Sequence, residues 1–290
     1  MAVLVPVLVA CTALLPAHAA QAAAGDRQAD LLAEHQAVVA SLRSSPFGEP
    51  LLLRPATGDN GHRGVVLAVL PRPLASVAAA FRSAEALCGL LILQLNVRAC
   101  QGAADGPAQQ LRVSVGPARA AWPGLVHDMA LSLQTLADDD QHFSATLAAA
   151  AGPLGSSALR LTLEAVALGP GQTYLHIGYS QASGLAGRAA TRVYLATAGR
   201  HKIGFSSQGT DSAGRPLPVA GERAALERNV MRHYLGLLAH SSVDAGTPAS
   251  RLHKRLRTWH ALTERHASQL HELDLAEYLS EKLGPAAAAR

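Results

Sequence analysis

Hydrophobic positions through the middle of the chain alternate with polar ones. Leu111, Val113 and Val115 point one way and Arg112 and Ser114 the other, while Met129, Leu131 and Leu133 alternate with Ala130, Ser132 and Gln134. The same period of two runs through Leu159, Leu161, Leu163 and Ala165 against Arg160, Thr162 and Glu164. It returns in Leu175, Ile177 and Tyr179 against Tyr174, His176 and Gly178. Successive side chains of a strand face opposite sides of a sheet, so the pattern predicts strands with one buried face, in an antiparallel rather than a doubly wound sheet. Asp138-Asp139-Asp140, Gly152-Pro153-Leu154-Gly155 and Gly169-Pro170-Gly171 are short, turn-rich connectors, which join neighbouring strands as hairpins. Upstream, residues 51–53 and 64–70 read as two further strands around a turn at 57–61.

Helical spacing occupies the flanks. Residues 26–42 place Leu31, Leu32, Ala33, Val38, Val39 and Leu42 on one broad apolar face, and Ser44-Ser45-Pro46 stops the helix. Pro71-Arg72-Pro73 opens a second helix, expected to run to about residue 87 with Leu74, Val77, Ala78 and Phe81 at helical spacing. After Gly184 the chain reads as mainly helical. Leu226, Val230, Tyr234 and Leu237 form a stripe over about 222–240; two more helices are expected over 249–265 and 269–283, before an Ala-rich tail that frays.

In this order (helix, hairpin, short helix, antiparallel meander, helix) residues 51–240 resemble the helix-grip fold of the START-like (SRPBCC) superfamily. Residues 165–180, 194–205 and 227–235 are also similar to a group of exported bacterial proteins. The resemblance implies an α+β fold in which a curved antiparallel sheet grips a long helix and leaves an apolar cavity between them. Residues 20–50 would supply an N-terminal helix and linker, and 241–290 a helical C-terminal extension. The superfamily includes lipid-transfer proteins and polyketide cyclases, so the fold implies a cavity and no particular substrate.

Composition adds a compartment. The chain has 290 residues, 49% hydrophobic and 16% charged, which excludes a disordered chain. Part of the apolar excess is N-terminal: residues 1–15 carry no charged side chain and lead through Pro16 to Ala17-His18-Ala19, the small-x-small pattern of a signal peptide cut between Ala19 and Ala20. An exported, periplasmic protein is expected. Leu8-Val9-Ala10-Cys11 has the form of a lipobox, so a lipoprotein anchored through Cys11 is the alternative. Once Cys11 is removed, Cys88 and Cys100 remain, either as a disulfide suited to an oxidising compartment or as two buried thiols.

The charge, +4 in all, is unevenly spread: residues 1–180 hold ten Lys or Arg and twelve Asp or Glu, residues 181–290 fifteen and nine. A basic helical end suits an anionic membrane surface or an acidic partner, while export and the lack of a basic, aromatic-bearing motif argue against nucleic acid. Arg188 and Arg192 are four apart, as are Arg228 and Arg232, and each pair would share a helix face. With Lys202, Asn229 and the hydroxyls of Tyr179, Tyr194 and Tyr234 they form a candidate site for a carboxylate or phosphate; the alternative is that they brace the helices or lie in solvent. Arg223 and Glu227 read as a surface ion pair. His253, His260 and His271, with Glu264, fall at heptad-like spacing, either a metal face or a solvated one, and no HExxH occurs. Gly178-Tyr179-Ser180-Gln181-Ala182 lacks the last glycine of a nucleophile elbow, and no phosphate loop is present. No catalytic residue, metal or cofactor is therefore assigned. The expected function is carriage of an apolar or amphipathic small molecule such as a lipid. The alternatives are an envelope protein docking through its basic end and an enzyme of the cyclase or hydrolase type.

Overall fold

The computed structural model describes residues 16–58, 61–103, 109–116, 126–184, 202–243 and 245–284, with Ala189 and Val193. Eight strands form one antiparallel sheet: β1 (Leu51–Gly58), β2 (Gly61–Leu70), β3 (Val97–Ala103), β4 (Gln109–Val115), β5 (His127–Asp138), β6 (His142–Ala151), β7 (Ser156–Gly169) and β8 (Gln172–Ser183). Their order across the sheet is β1-β2-β8-β7-β6-β5-β4-β3. After the β1–β2 hairpin, helices α2 (Leu74–Ala78) and α3 (Ala84–Leu91) carry the chain to the far edge, from which the meander returns until β8 pairs with β2. A small hairpin, β9 (Ser207–Thr210) with β10 (Pro216–Pro218), precedes the helices α4 (Gly221–Ser241), α5 (Pro248–Glu264), α6 (Ala267–Leu270) and α7 (Leu275–Leu283).

The period of two decides which residues meet. Val66, Ala68, Leu161, Leu163, Ala165, Leu175 and Ile177 share the inner face and pack in one core with Leu226, Val230 and Leu237 of α4. The gripped helix is therefore α4. A β-carbon at Gly64 would come within 3.1 Å of Val230 Cγ1, so glycine lets β2 approach α4 closely. Leu256, Trp259 and Tyr278 place α5 and α7 in the same core.

The outer face is covered as well. Helix α1 (Pro16–Arg43), which contains Ala19 and Ala20, lays Leu31, Val38 and Leu42 against Leu67, Val166 and Tyr174. Polar ties flank that contact: Arg27 donates to both carboxylate oxygens of Glu164 at 2.6 and 2.5 Å, and Glu34 accepts from the Tyr174 hydroxyl at 3.0 Å.

Two sequence expectations need correction. The helix read from Pro73 to residue 87 breaks before Ser83, whose hydroxyl accepts from the Ala86 amide at 3.0 Å and starts α3 afresh. The helix expected over 269–283 is two, because Asp274 caps α7 by accepting from the Glu277 amide at 2.9 Å. Among the described residues the stretch after Gly184 is mainly helical, with the short hairpin β9–β10 inside it. Alternation also gave no sign of β3 and β6. In β6, Phe143, Ala145 and Leu147 face inward while His142, Ser144 and Thr146 are buried on the other side, so no exposed face marks the strand.

Candidate functional site

Between the sheet and α4 lies a cavity of about 540 Å³. Alternation builds its floor: Val113 and Val115 of β4, Met129 and Leu131 of β5, Leu147 of β6, and Leu159 and Leu161 of β7 all project inward. Helical periodicity builds the opposite wall, because Glu222, Ala225, Leu226, Asn229, Arg232 and His233 recur three and four apart on α4. The connection from α3 to β3 closes one side through Leu91, Gln94, Leu95, Asn96 and Val97.

That connection is fastened from several directions. Cys88 of α3 and Cys100 of β3 form a disulfide with their α-carbons 5.3 Å apart. The Tyr278 hydroxyl of α7 donates to the Leu93 carbonyl at 2.7 Å, and the Lys282 ammonium donates to the carbonyls of Gln94 at 2.5 Å and Val97 at 2.7 Å. From the other side, Gln94 donates its amide to the Arg232 carbonyl at 3.1 Å.

The polar groups of the cavity are largely engaged with one another. Arg232 donates to Glu272 at 2.7 Å. Arg228, only 2% exposed, donates to the carbonyls of Lys202 at 3.4 Å and Ile203 at 3.2 Å. His233 stacks on Tyr179 with ring centroids 5.4 Å apart. Burial, aided by Arg232, pushes the His233 imidazole down to about 4, and burial pushes the Tyr179 hydroxyl up to about 12, so both are neutral at physiological pH. The Tyr179 hydroxyl donates to Gln181 at 2.7 Å, whereas the buried His233 Nδ1 has no partner among the described residues.

Of the residues picked out by sequence, Tyr179, Arg228, Asn229 and Arg232 converge on the cavity. Lys202 stands behind its rim, donating to the His271 carbonyl and lying 3.8 Å from Glu272; burial lowers the pKa of its ammonium against the pull of that carboxylate. Tyr234 is buried outside the cavity lining, and burial together with Glu49 raises the pKa of its hydroxyl. Arg188, Arg192 and Tyr194 lie outside the described residues. His233, Gln94, Glu222 and Glu272 escaped the sequence reading. His233 follows Asn229 by four residues on α4, a spacing that puts the two on one face without saying that this face looks inward.

Elsewhere, Arg223 does pair with Glu227, at 3.3 Å, but Glu227 is fully buried, which corrects the expected surface pair. Its carboxylate also accepts from the amides of Phe205 at 2.6 Å and Ser206 at 2.9 Å and from the Ser206 hydroxyl. The histidines separate: His271 meets Glu264 at 3.0 Å, His260 meets the Leu273 carbonyl at 3.0 Å, and His253 lies beside Arg257. Among the described residues no three His, Cys, Asp or Glu side chains converge as a metal site. At the basic end, Arg251 and Arg255 donate to the carbonyls of Gly246 and Val243, while Lys254 and Arg257 are exposed.

A meander returning to its own first hairpin, a long helix across its inner face and a cavity between them decide the architecture. It is a helix-grip fold. Solved structures similar to it include human StAR-related lipid transfer protein 5, at 11% identity over 61% of this chain and 90% of that one, with a TM-score of 0.33. A Thermus thermophilus protein, TTHA0849, matches at 13% identity over 67% and 97%, with a TM-score of 0.35. Norcoclaurine synthase from Thalictrum flavum matches at 11% over 49% and 77%, with a TM-score of 0.32. No family model and no curated protein matches the chain.

Proposed function

We propose that this helix-grip protein is exported and binds an amphipathic small molecule, such as a lipid, without transforming it. The observation that carries the reading is the cavity itself: about 540 Å³, with an aliphatic floor on β4–β7 and its polar side chains on α4, on β8 and on the neighbouring connections. That volume suits a small-molecule site. Each methylene buried on the floor would contribute about 0.8 kcal/mol before the cost of immobilising the ligand, so a tail of about ten supplies a gross 8 kcal/mol or so. Binding without catalysis is favoured because His233 and Tyr179 are the neutral titratable pair in the cavity and, among the described residues, no carboxylate hydrogen-bonds to either. The Cys88–Cys100 disulfide supports export, since such bonds persist in oxidising compartments.

Native mass spectrometry of protein purified from the exported fraction tests the reading as a whole. The expected species begins at Ala20, carries the disulfide and retains a lipid-like ligand that denaturation releases. Leu131→Trp, which fills the floor, should fold and come out empty. A chain that retains residues 1–19 defeats export, and a wild-type protein that neither retains nor takes up any amphiphile defeats the binding function.

A further inference from the structure

The cavity's charges bear on which head group it admits. Among its described lining residues, the ionisable groups that carry charge are two cations, Arg228 and Arg232, and two carboxylates, Glu222 and Glu272. Arg232 already donates to Glu272 at 2.7 Å, and Arg228 is buried and donates to two backbone carbonyls. Lys202, behind the rim, donates to the His271 carbonyl and faces the same Glu272. An anionic head would have to share Arg232 with Glu272, which already holds it at 2.7 Å, and lose its own hydration beside that carboxylate. An uncharged head meets no such penalty. Beside it stand the Asn229 amide and the His233 ring, whose Nδ1 is buried without a partner, leaving Nε2 as the nitrogen that a ligand can reach.

Resting on the binding function proposed above, we infer that the cavity selects amphiphiles with an uncharged, hydrogen-bonding head, such as a hydroxyl, over anionic ones with the same tail. Glu272 is the residue that sets this preference, by neutralising Arg232. This reverses the use that the sequence alone suggested for the arginines.

The test is displacement of bound Nile red, a neutral apolar dye, from the full mature chain by monolaurin and by laurate, both below their aggregation concentrations at about pH 8. Monolaurin should displace the dye at a concentration about tenfold lower than laurate does, the scale of one hydrogen-bonded head against one charge left poorly solvated. Glu272→Gln should erase or invert that ratio by freeing Arg232 for the laurate carboxylate. Arg232→Gln, which leaves Glu272 without this partner, should widen the ratio by weakening laurate further, which keeps the inference open to test if Glu272→Gln misfolds. Laurate binding as well as monolaurin to the wild type, or a ratio that narrows in Arg232→Gln, overturns the inference alone. Failure of both amphiphiles and the dye to bind overturns the cavity reading and the inference with it.

Discussion

Glu227 shows how far a single residue can depart from its pattern. Spaced four from Arg223, it has the signature of an exposed helix pair, yet its carboxylate is buried and holds the 205–206 backbone against α4. The two partners should therefore respond unequally to truncation. Glu227→Ala leaves two amides and a hydroxyl without their acceptor and is expected to cost about 3–5 kcal/mol. Arg223→Ala, at a side chain 45% exposed, should cost no more than about 1 kcal/mol. Urea denaturation of both variants measures the difference, and equal losses would mean that the ion pair, not the backbone clasp, is what matters. Spacing alone could place the two residues on one face; it could not say that segment 204–206 would cover that face.

At the scale of elements, most strands of the sheet and the helices with one apolar stripe were legible. β3, β6 and the helix breaks set by a local cap were not. β6 lost its alternation because its outward residues are buried too, and the break before α3 depends on one serine hydroxyl. Sequence left the pairing of Cys88 with Cys100 as one of two open readings, and the packing of α3 beside β3 decides between them. Closing a loop of this length stabilises by about 2–3 kcal/mol, chiefly by restricting the unfolded chain. The double variant Cys88→Ser/Cys100→Ser should lose that amount in denaturant titration while keeping the fold, since Tyr278 and Lys282 still hold the 93–97 backbone. Full stability under both oxidising and reducing conditions would show that the bond forms no such constraint in solution.

For the molecule as a whole, burial of several histidines makes stability depend on pH. Burial lowers the pKa of His35, His142, His233, His240 and His266, with His233 and His240 brought down to about 4. Between that value and the ordinary histidine range near 6.5, the unfolded chain binds protons that the folded chain does not, so stability falls as pH drops through this window. His233 and His240 should each contribute a loss of up to about 2 kcal/mol between about pH 7 and pH 5. Denaturation at the two pH values measures the sum, and His233→Leu should flatten the slope; a pH-independent stability would refute the assignment. These histidines look alike in the sequence, where nothing distinguishes a cavity-facing ring from a solvated one. By itself the sequence determined the sheet's inner face, the long helix α4 and the aliphatic character of the floor, because periods of two and near 3.6 are local properties of the chain. Only the tertiary structure decided that α4 is the gripped helix, that Arg232 is neutralised by Glu272 forty residues away, and that Glu227 is buried. Those facts depend on which distant segments come to lie together, and packing between distant segments leaves no period in the sequence.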